Sequence, residues 1–275
     1  MIDTRAIAKE IRIRALEMVH RAHASHIASS LSAADLLSVL YGGGILNFSP
    51  VDPMWPERDR FILSKGHAVA AYYAVLAEVG FFDRSWLDTY CRNESCLAGH
   101  ASSTVPGIEV STGSLGHGLP IGTGMALAGK RDQSRYRVFV LLSDGEMQEG
   151  SNWEAILFAA QHRLDNLVAI VDYNRFQAFG KVCEIVNLEP FTDKWKAFGW
   201  AVTVINGHDH GQIRKVLQRV PFEEGRPSAI IAHTIKGKGI SFMEDRLEWH
   251  YRSPDERELR QAVKEVQSWY ESGLC

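Results

Sequence analysis

The sequence predicts an α/β fold, an open and mostly parallel sheet with helices on both faces. Three observations point to it. VFVLL at 138–142 and LVAIV at 167–171 are unbroken apolar runs, the composition of strands buried on both sides. Each is followed by polar turn residues, Ser143-Asp144-Gly145-Glu146 and Asp172-Tyr173-Asn174. Strands then alternate with segments of helical spacing through the second half, which implies parallel pairing with crossover helices.

The elements follow in order. Residues 3–22 read as a helix, because Ile7, Ile11, Ala15, Met18 and Ala22 recur at three- and four-residue steps and make one apolar stripe. Ser32 is placed to cap a second helix through Leu40, with Asp35 completing a partial capping box. Gly42-Gly43-Gly44 then stops it. Residues 45–60 hold three prolines and are expected to be irregular. After the strand at 138–142, Ser151 and Glu154 form a capping box for a helix with Trp153, Ile156, Leu157 and Ala160 on one face. Asp165-Asn166 turns the chain into the strand at 167–171. Residues 201–205 and 229–232 are two more strands. Ser253 as cap, Pro254 in the first helical position and acid at Asp255-Glu256 open a last helix. Leu259, Ala262, Val263, Val266 and Trp269 are its buried stripe. No repeat, low-complexity tract or linker interrupts the chain.

Composition narrows the function class. At 275 residues the chain is one large domain or two small ones. Hydrophobic residues at 45% and charged residues at 23% give a soluble globular balance and exclude a disordered tail or a collagen-like fibre. The apolar runs fall far short of the roughly 20 residues a membrane helix needs. MIDTRAIAKEIRIRAL mixes charge into every turn, so no signal peptide and no membrane partner are expected. Thirty Lys and Arg against 33 Asp and Glu leave a net charge of −3, which argues against a nucleic-acid partner. Cys91, Cys96, Cys183 and Cys275 are too few and too scattered for a disulfide scaffold, and a reducing cytoplasm is expected.

In such a sheet, ligands bind beyond the carboxyl ends of the strands. Asp144 and Asn174 both stand there, and one crossover helix between them makes their strands expected neighbours. A carboxylate and an amide oxygen suit a hard cation such as magnesium, which completes its shell with waters and phosphate oxygens. The pair reads as a site for metal plus diphosphate, with Gly145 and Gly150 letting the backbone come close. The other reading makes Asp144 a helix cap and Asn174 a turn residue. Spacing alone does not choose between them.

Longer strings do. SDGEMQEGSNWEAILFAAQHRLDNLVAIVDYN at 143–174 resembles the thiamine diphosphate signature, which opens Gly-Asp-Gly and closes at an Asn one crossover helix later. RDRFILSKGHA (58–68), Gly99-His100, STGSLGHG (111–118), KWKAFGW (194–200), NGHD (206–209), HTIKGKG (233–239) and Trp249-His250 are similar, in order, to the N-terminal half of transketolase. The resemblance implies that residues 1–275 are a diphosphate-binding domain with added N-terminal helices and a C-terminal helix. It implies thiamine diphosphate and Mg2+ as cofactors. Asp144 and Asn174 would hold the metal, with the main-chain oxygen of Phe176 as third ligand. Gly145 would touch the diphosphate, and Gly113 and Leu115 would lie beside the cofactor. Glu149 matches an acidic residue at the family's subunit contact, coupled to the cofactor pyrimidine. His26, His67, His100 and His250 match histidines lining the channel to the thiazolium ring. Such imidazoles suit a sugar, because they donate to or accept from hydroxyls and move protons near neutral pH.

The implied activity is transfer of a two-carbon ketol unit from a ketose, or its phosphate, to an aldose. The family's pyrimidine-binding and C-terminal domains have no counterpart in residues 1–275. The expectation is a split enzyme, active with a separate pyrimidine-domain subunit, in a heterotetramer of two copies of each. A 2-oxoacid dehydrogenase-type subunit shares the cofactor signature but leaves SKGHA, STGSLG and the histidines unexplained. A cofactor-dead scaffold would be favoured by loss of Asp144 or Asn174, and both are present.

Some positions depart from the family. Ser143 replaces the first Gly of the signature. Ser25-His26-Ile27-Ala28 stands for Gly-His-Pro-Gly. His117 replaces a frequent Gln, Tyr251 a usual Gly, and Gln177-Ala178-Phe179-Gly180 lacks an acid before the Gly. These leave the cofactor expected and the sugar open. Elsewhere, His20, His23 and His26 lack the Cys or acidic partner a metal site needs. Cys91-x4-Cys96 is a weak metal signal, His162, His208 and His210 read as surface or turn residues, and Lys236-Gly-Lys238-Gly is either a phosphate loop or a plain loop. The Trp and Phe residues are expected in the core.

Overall fold

The computed structural model describes residues 3–272, so Cys275 lies outside the described residues. Its sheet is open and parallel, in the order β1-β2-β3-β5-β4. The strands are β1 (Arg60–Leu63), β2 (Val138–Ser143), β3 (Leu167–Tyr173), β4 (Ala201–Asn206) and β5 (Ser228–His233). The helices are α1 (Thr4–Ala22), α2 (Ile27–Gly42), α3 (Val69–Glu78), α4 (Gly118–Arg131), α5 (Gly150–Gln161), α6 (Val182–Ile185), α7 (Phe191–Ala197), α8 (His210–Leu217) and α9 (Glu256–Glu271).

Alternation along each strand builds two cores. Phe139, Leu141, Val168, Ile170, Ile230 and Ala232 face the side covered by α1, α2, α3, α8 and α9. Val140, Leu142, Ala169, Val171, Ala229 and Ile231 face the side covered by α4, α5 and α7. Sheet residues apolar on both faces are what a doubly covered parallel sheet requires. Ser143 pairs with Asp172 in the β2–β3 register, so the two expected strands are neighbours.

The local expectations hold where one side of an element is wet. α1 starts behind Asp3, whose carboxylate accepts from Arg5 N–H at 2.9 Å, and its stripe is buried up to Met18. α2 differs. It begins at Ile27, five residues before Ser32, and every residue from Ile27 to Gly42 is buried. A helix enclosed on all sides has no stripe to betray its start. Ser32 is no cap; its hydroxyl donates to Asp172 at 2.6 Å. Ser151 is not a cap either, since α5 opens at Gly150 and the Ser151 hydroxyl donates to Gly116 O at 2.6 Å. On that helix Ile156 is buried but Leu157 is 58% exposed. The last helix is capped two residues late: Asp255 and Glu258 form a reciprocal capping box, and Ser253 donates instead to Val19 O. β1 takes in Arg60, at the end of the stretch expected to be irregular. Trp195, Trp200 and Trp249 are fully buried, as expected, whereas Phe179 is 78% exposed.

His208 lies in the turn after β4, as expected, but it is mostly enclosed, and His210 is buried at the start of α8. Asp35, buried in α2, takes two bonds from Arg12, at 2.8 and 2.7 Å. His208 Nδ1 lies 2.7 Å and His210 Nε2 3.2 Å from the same carboxylate. His208 Nε2 accepts from Ile235 N–H at 2.8 Å, so its Nδ1 carries the proton that Asp35 receives. Burial alone would raise the Asp35 pKa, but Arg12 and the two imidazoles hold it well below the usual carboxylate range.

Candidate functional site

A cavity of about 460 Å³ opens beyond the carboxyl ends of β2 and β3. One wall is the turn after β2 with the loop after β3; the other is a group of histidines. Asn174 lines the first wall, and Asp144, thirty positions before it, is buried in the turn between the lining residues Ser143 and Gly145. Asp144 is fully buried; one oxygen accepts from Gly145 N–H at 2.8 Å and the other from Arg175 N–H. Asn174 is 2% exposed, and its side-chain oxygen accepts from Phe176 N–H at 3.1 Å. Gly145 is required by close approach: a Cβ there would stand 2.6 Å from Gln177 Cβ.

Burial pushes the Asp144 carboxyl up to about 7, and the charge of Asp172 adds to the push. A buried carboxylate so poorly compensated suits a cation beside it. Among the described residues no cluster of three or more His, Cys, Asp or Glu is placed to hold a metal. The set the family resemblance implies, oxygens of Asp144, Asn174 and the Phe176 main chain, is of another kind, one carboxylate with two neutral oxygens. That donor set fits magnesium shared with a diphosphate.

The opposite wall gathers histidines from four places in the chain. His26, at the start of α2, lies with its ring centroid 5.2 Å from His67, 5.8 Å from His100 and 4.8 Å from His250. His26 has a left-handed backbone (φ 73°), which turns its ring toward the others instead of along the helix. His100 packs on Gly113, where φ is 152° and a Cβ would come within 2.9 Å of the ring. Burial pushes His26 down to about 4, with the charges of His100, Lys236 and Lys65 adding to it. Burial, then Lys236, pushes His250 to about 3. His67 is driven well below its ordinary value, first by burial and then by Lys65. These three imidazoles are therefore neutral at neutral pH, each with one donor and one acceptor for hydroxyls.

Lys65 and Lys236 supply that positive field. Lys65, fully buried, pairs with Asp172 and donates to Ser29 O at 3.2 Å. Burial would raise Asp172, but Lys65, Ser32 and Thr234 together keep it below its ordinary value. Lys236 stands on the loop after β5, 1% exposed, and burial with the charge of Lys65 lowers it to about 8. Lys236 thus belongs to the site and not to a plain loop. Lys65, within SKGHA, carries no role in the sequence reading. Its signal is a lysine directly after a strand, where only a ligand or an ion pair makes burial tolerable. Glu146 has no sequence-based role either. Fully buried, it accepts from Ser64 Oγ, from Gly116 N–H at 3.1 Å and from Ser143 N–H at 3.2 Å, and burial raises its pKa. It ties the 111–118 turn to the end of β2.

Of the remaining expected residues, Gly113, Leu115, Gly145, Glu149 and Phe176 all line the cavity, whereas Asp144 is buried between the lining residues Ser143 and Gly145. Glu149 is exposed at the rim, in the cap position of α5 but with no side-chain capping bond. Ser143 costs the turn nothing: its hydroxyl accepts from Glu146 N–H at 3.3 Å. His117 is exposed, its Nδ1 3.0 Å from Leu115 O.

Comparison with known proteins places the chain in a family and a fold. The family model of the transketolase thiamine diphosphate-binding domain matches residues 3–270. The chain is 44% identical to one of the subunits of the apulose-4-phosphate transketolase of Phocaeicola vulgatus, over 93% of this chain and 90% of that one. It is 41% identical to a 6-deoxy-6-sulfo-D-fructose transketolase subunit of a Clostridium species, over 97% of each. Its structure superposes on the transketolase of Campylobacter jejuni with a TM-score of 0.90 at 32% identity, covering 96% of this chain but 42% of that one.

Proposed function

The chain belongs to the transketolase family, in its thiamine diphosphate-binding domain, and on that premise we propose that it is the cofactor-holding subunit of a split transketolase. It transfers a two-carbon ketol unit from a ketose to an aldose, together with a second polypeptide that carries the pyrimidine-binding domain. One observation carries this reading: Gly145 and Asn174, with Asp144 buried beside Gly145, line one cavity with four histidines. The naming of relatives of nearly the same length as subunits supports the second polypeptide, and a heterotetramer of two copies of each is the assembly we infer. Those names, with their phosphate and sulfo groups, support a keto sugar bearing an anionic group as substrate.

We assign Asp144, Asn174 and the Phe176 carbonyl to magnesium, and Gly145 to the diphosphate. Gly113 and Leu115 flank the cofactor, and Glu149 at the rim faces the partner. Thiamine diphosphate, when bound, supplies the electron sink that ketol transfer needs. The chain's own residues do the rest. Lys236 Nζ donates to His250 Nδ1 at 3.2 Å, which leaves Nε2–H as the donor toward the sugar. His26, His67 and His100 bracket the hydroxyl row and pass protons at the carbonyl and hydroxyl that react. Residues 1–275 act as one diphosphate-binding domain. No helix among the described residues is long and apolar enough to cross a membrane. Cys91, Cys96 and Cys183 are free thiols, which supports a cytoplasmic setting.

Native mass spectrometry of the protein isolated gently from its host tests the reading. The expected result is a complex with a second polypeptide and added mass matching thiamine diphosphate and magnesium. A lone chain without cofactor, and no ketol transfer on adding a pyrimidine-domain subunit, overturns it.

A further inference from the structure

We propose that Tyr251 is a positioning residue for specificity: it ties the tip of the 175–182 loop to the histidine wall and so sets the width of the channel a sugar enters. The proposal rests on the transketolase reading above.

The loop is closed on itself. Phe176 and Lys181 form an antiparallel bridge, Val182 N–H donates to Arg175 O at 2.9 Å, and Gln177 N–H donates to Gly180 O at 2.9 Å. Its tip, by contrast, is held to the rest of the protein by few bonds. Among the described residues, two side-chain hydrogen bonds reach it: Gln177 to Gln148 at 3.2 Å, and Tyr251 Oη–H to Ala178 O at 2.9 Å. Ala178 and Phe179 of that tip line the cavity.

At its other end Tyr251 is fastened to the histidines. Its ring meets the His250 ring edge-on at 4.9 Å. Its main-chain oxygen accepts from Ser25 Oγ–H at 2.9 Å, and His250 O accepts from His26 N–H at 3.0 Å. One contact chain thus runs from Ser25 through Tyr251 to Ala178, around the edge of the cavity. These are positions where the sequence departs from the transketolase motifs, so three separate departures form one physical device. Tyr251 is 54% exposed, and water could satisfy its hydroxyl at no loss. The bond to Ala178 therefore serves the loop and not the tyrosine. A loop tied in place retreats less readily and disfavours longer chains, and steric discrimination on this scale is worth about tenfold in kcat/KM.

The test uses the complete complex with its partner subunit, thiamine diphosphate and magnesium. Tyr251→Phe removes only the hydroxyl tie; Tyr251→Gly removes the ring as well. With one ketose donor, kcat/KM is measured for aldose acceptors of increasing length. The five-carbon to three-carbon ratio is expected to rise about tenfold in Tyr251→Gly, through KM and not kcat, and by less in Tyr251→Phe. An equal loss on every acceptor overturns the specificity role. Hydrogen exchange of the 176–180 amides needs no turnover. It is expected to speed up about tenfold in both variants, and unchanged exchange overturns the tie. Absence of ketol transfer by the wild-type complex would sink the transketolase reading and the specificity role with it, while the exchange result still decides whether Tyr251 holds the loop.

Discussion

The Lys236 ammonium lies 3.2 Å from Nδ1 of His250, and a lysine has only protons to offer. That contact assigns the tautomer of His250 and adds to the burial that keeps its ring neutral. Lys236→Met keeps the length and removes the charge. The pKa values of His250 and His26, now about 3 and about 4, are expected to rise toward 6.5, although burial holds part of the shift. Histidine NMR titration reads this directly, and an unmoved His250 would show that Lys236 does not set its charge.

Asp144→Ala removes the one carboxylate of the proposed metal set. Magnesium-dependent retention of thiamine diphosphate is expected to vanish. The fold survives, since the loss is two acceptors for backbone N–H groups, of Gly145 and Arg175, at about 1–3 kcal/mol each. Calorimetric titration with circular dichroism checks both halves. Unchanged retention would remove Asp144 from the metal site.

His67 predicts a pH dependence of stability. Its pKa in the folded protein lies well below 6.5. Above pH 6.5 it is neutral in both states and contributes nothing. Below that, the unfolded chain takes up a proton that the folded one refuses, so this residue costs stability as pH falls. The cost grows by up to about 1.4 kcal/mol per pH unit until the folded pKa is reached. His67→Gln should therefore gain on the wild type in urea unfolding from pH 7 to pH 5. A constant difference across that range would contradict the lowered pKa.

Arg12→Ala tests the buried network around Asp35. Both side chains are essentially fully buried, and Asp35 would lose its strongest compensation while remaining enclosed. The expected loss is about 3–5 kcal/mol in denaturant unfolding. A loss below about 1 kcal/mol would mean that His208 and His210 suffice to hold the carboxylate.

Much of this was legible in the sequence. The stripe of Ile7, Ile11, Ala15 and Met18 reveals α1 because one face of that helix is dry and the other wet. The runs at 138–142 and 167–171 reveal two central strands, whose register sets Ser143 against Asp172 just before Asp144 and Asn174. The start of α2 and the whole of α3 stayed obscure for the opposite reason: buried on almost every side, these helices carry no periodic contrast. Ser32, Ser151 and Ser253 misled because a serine before a helix signals a cap only when its hydroxyl has no better partner. Here each finds one, in Asp172, Gly116 O and Val19 O.

The parallel α/β architecture and the place of Asp144 and Asn174 at strand ends could be read from residues alone, because apolar runs and strand-end turns are properties of near neighbours. It took the folded chain to show that Lys65 neutralises Asp172, that His208 and His210 serve Asp35, and that Tyr251 reaches Ala178. Those partners lie far apart in the chain. Strand order and helix packing bring them together, and no local pattern of residues records which distant groups will share one buried, low-dielectric space.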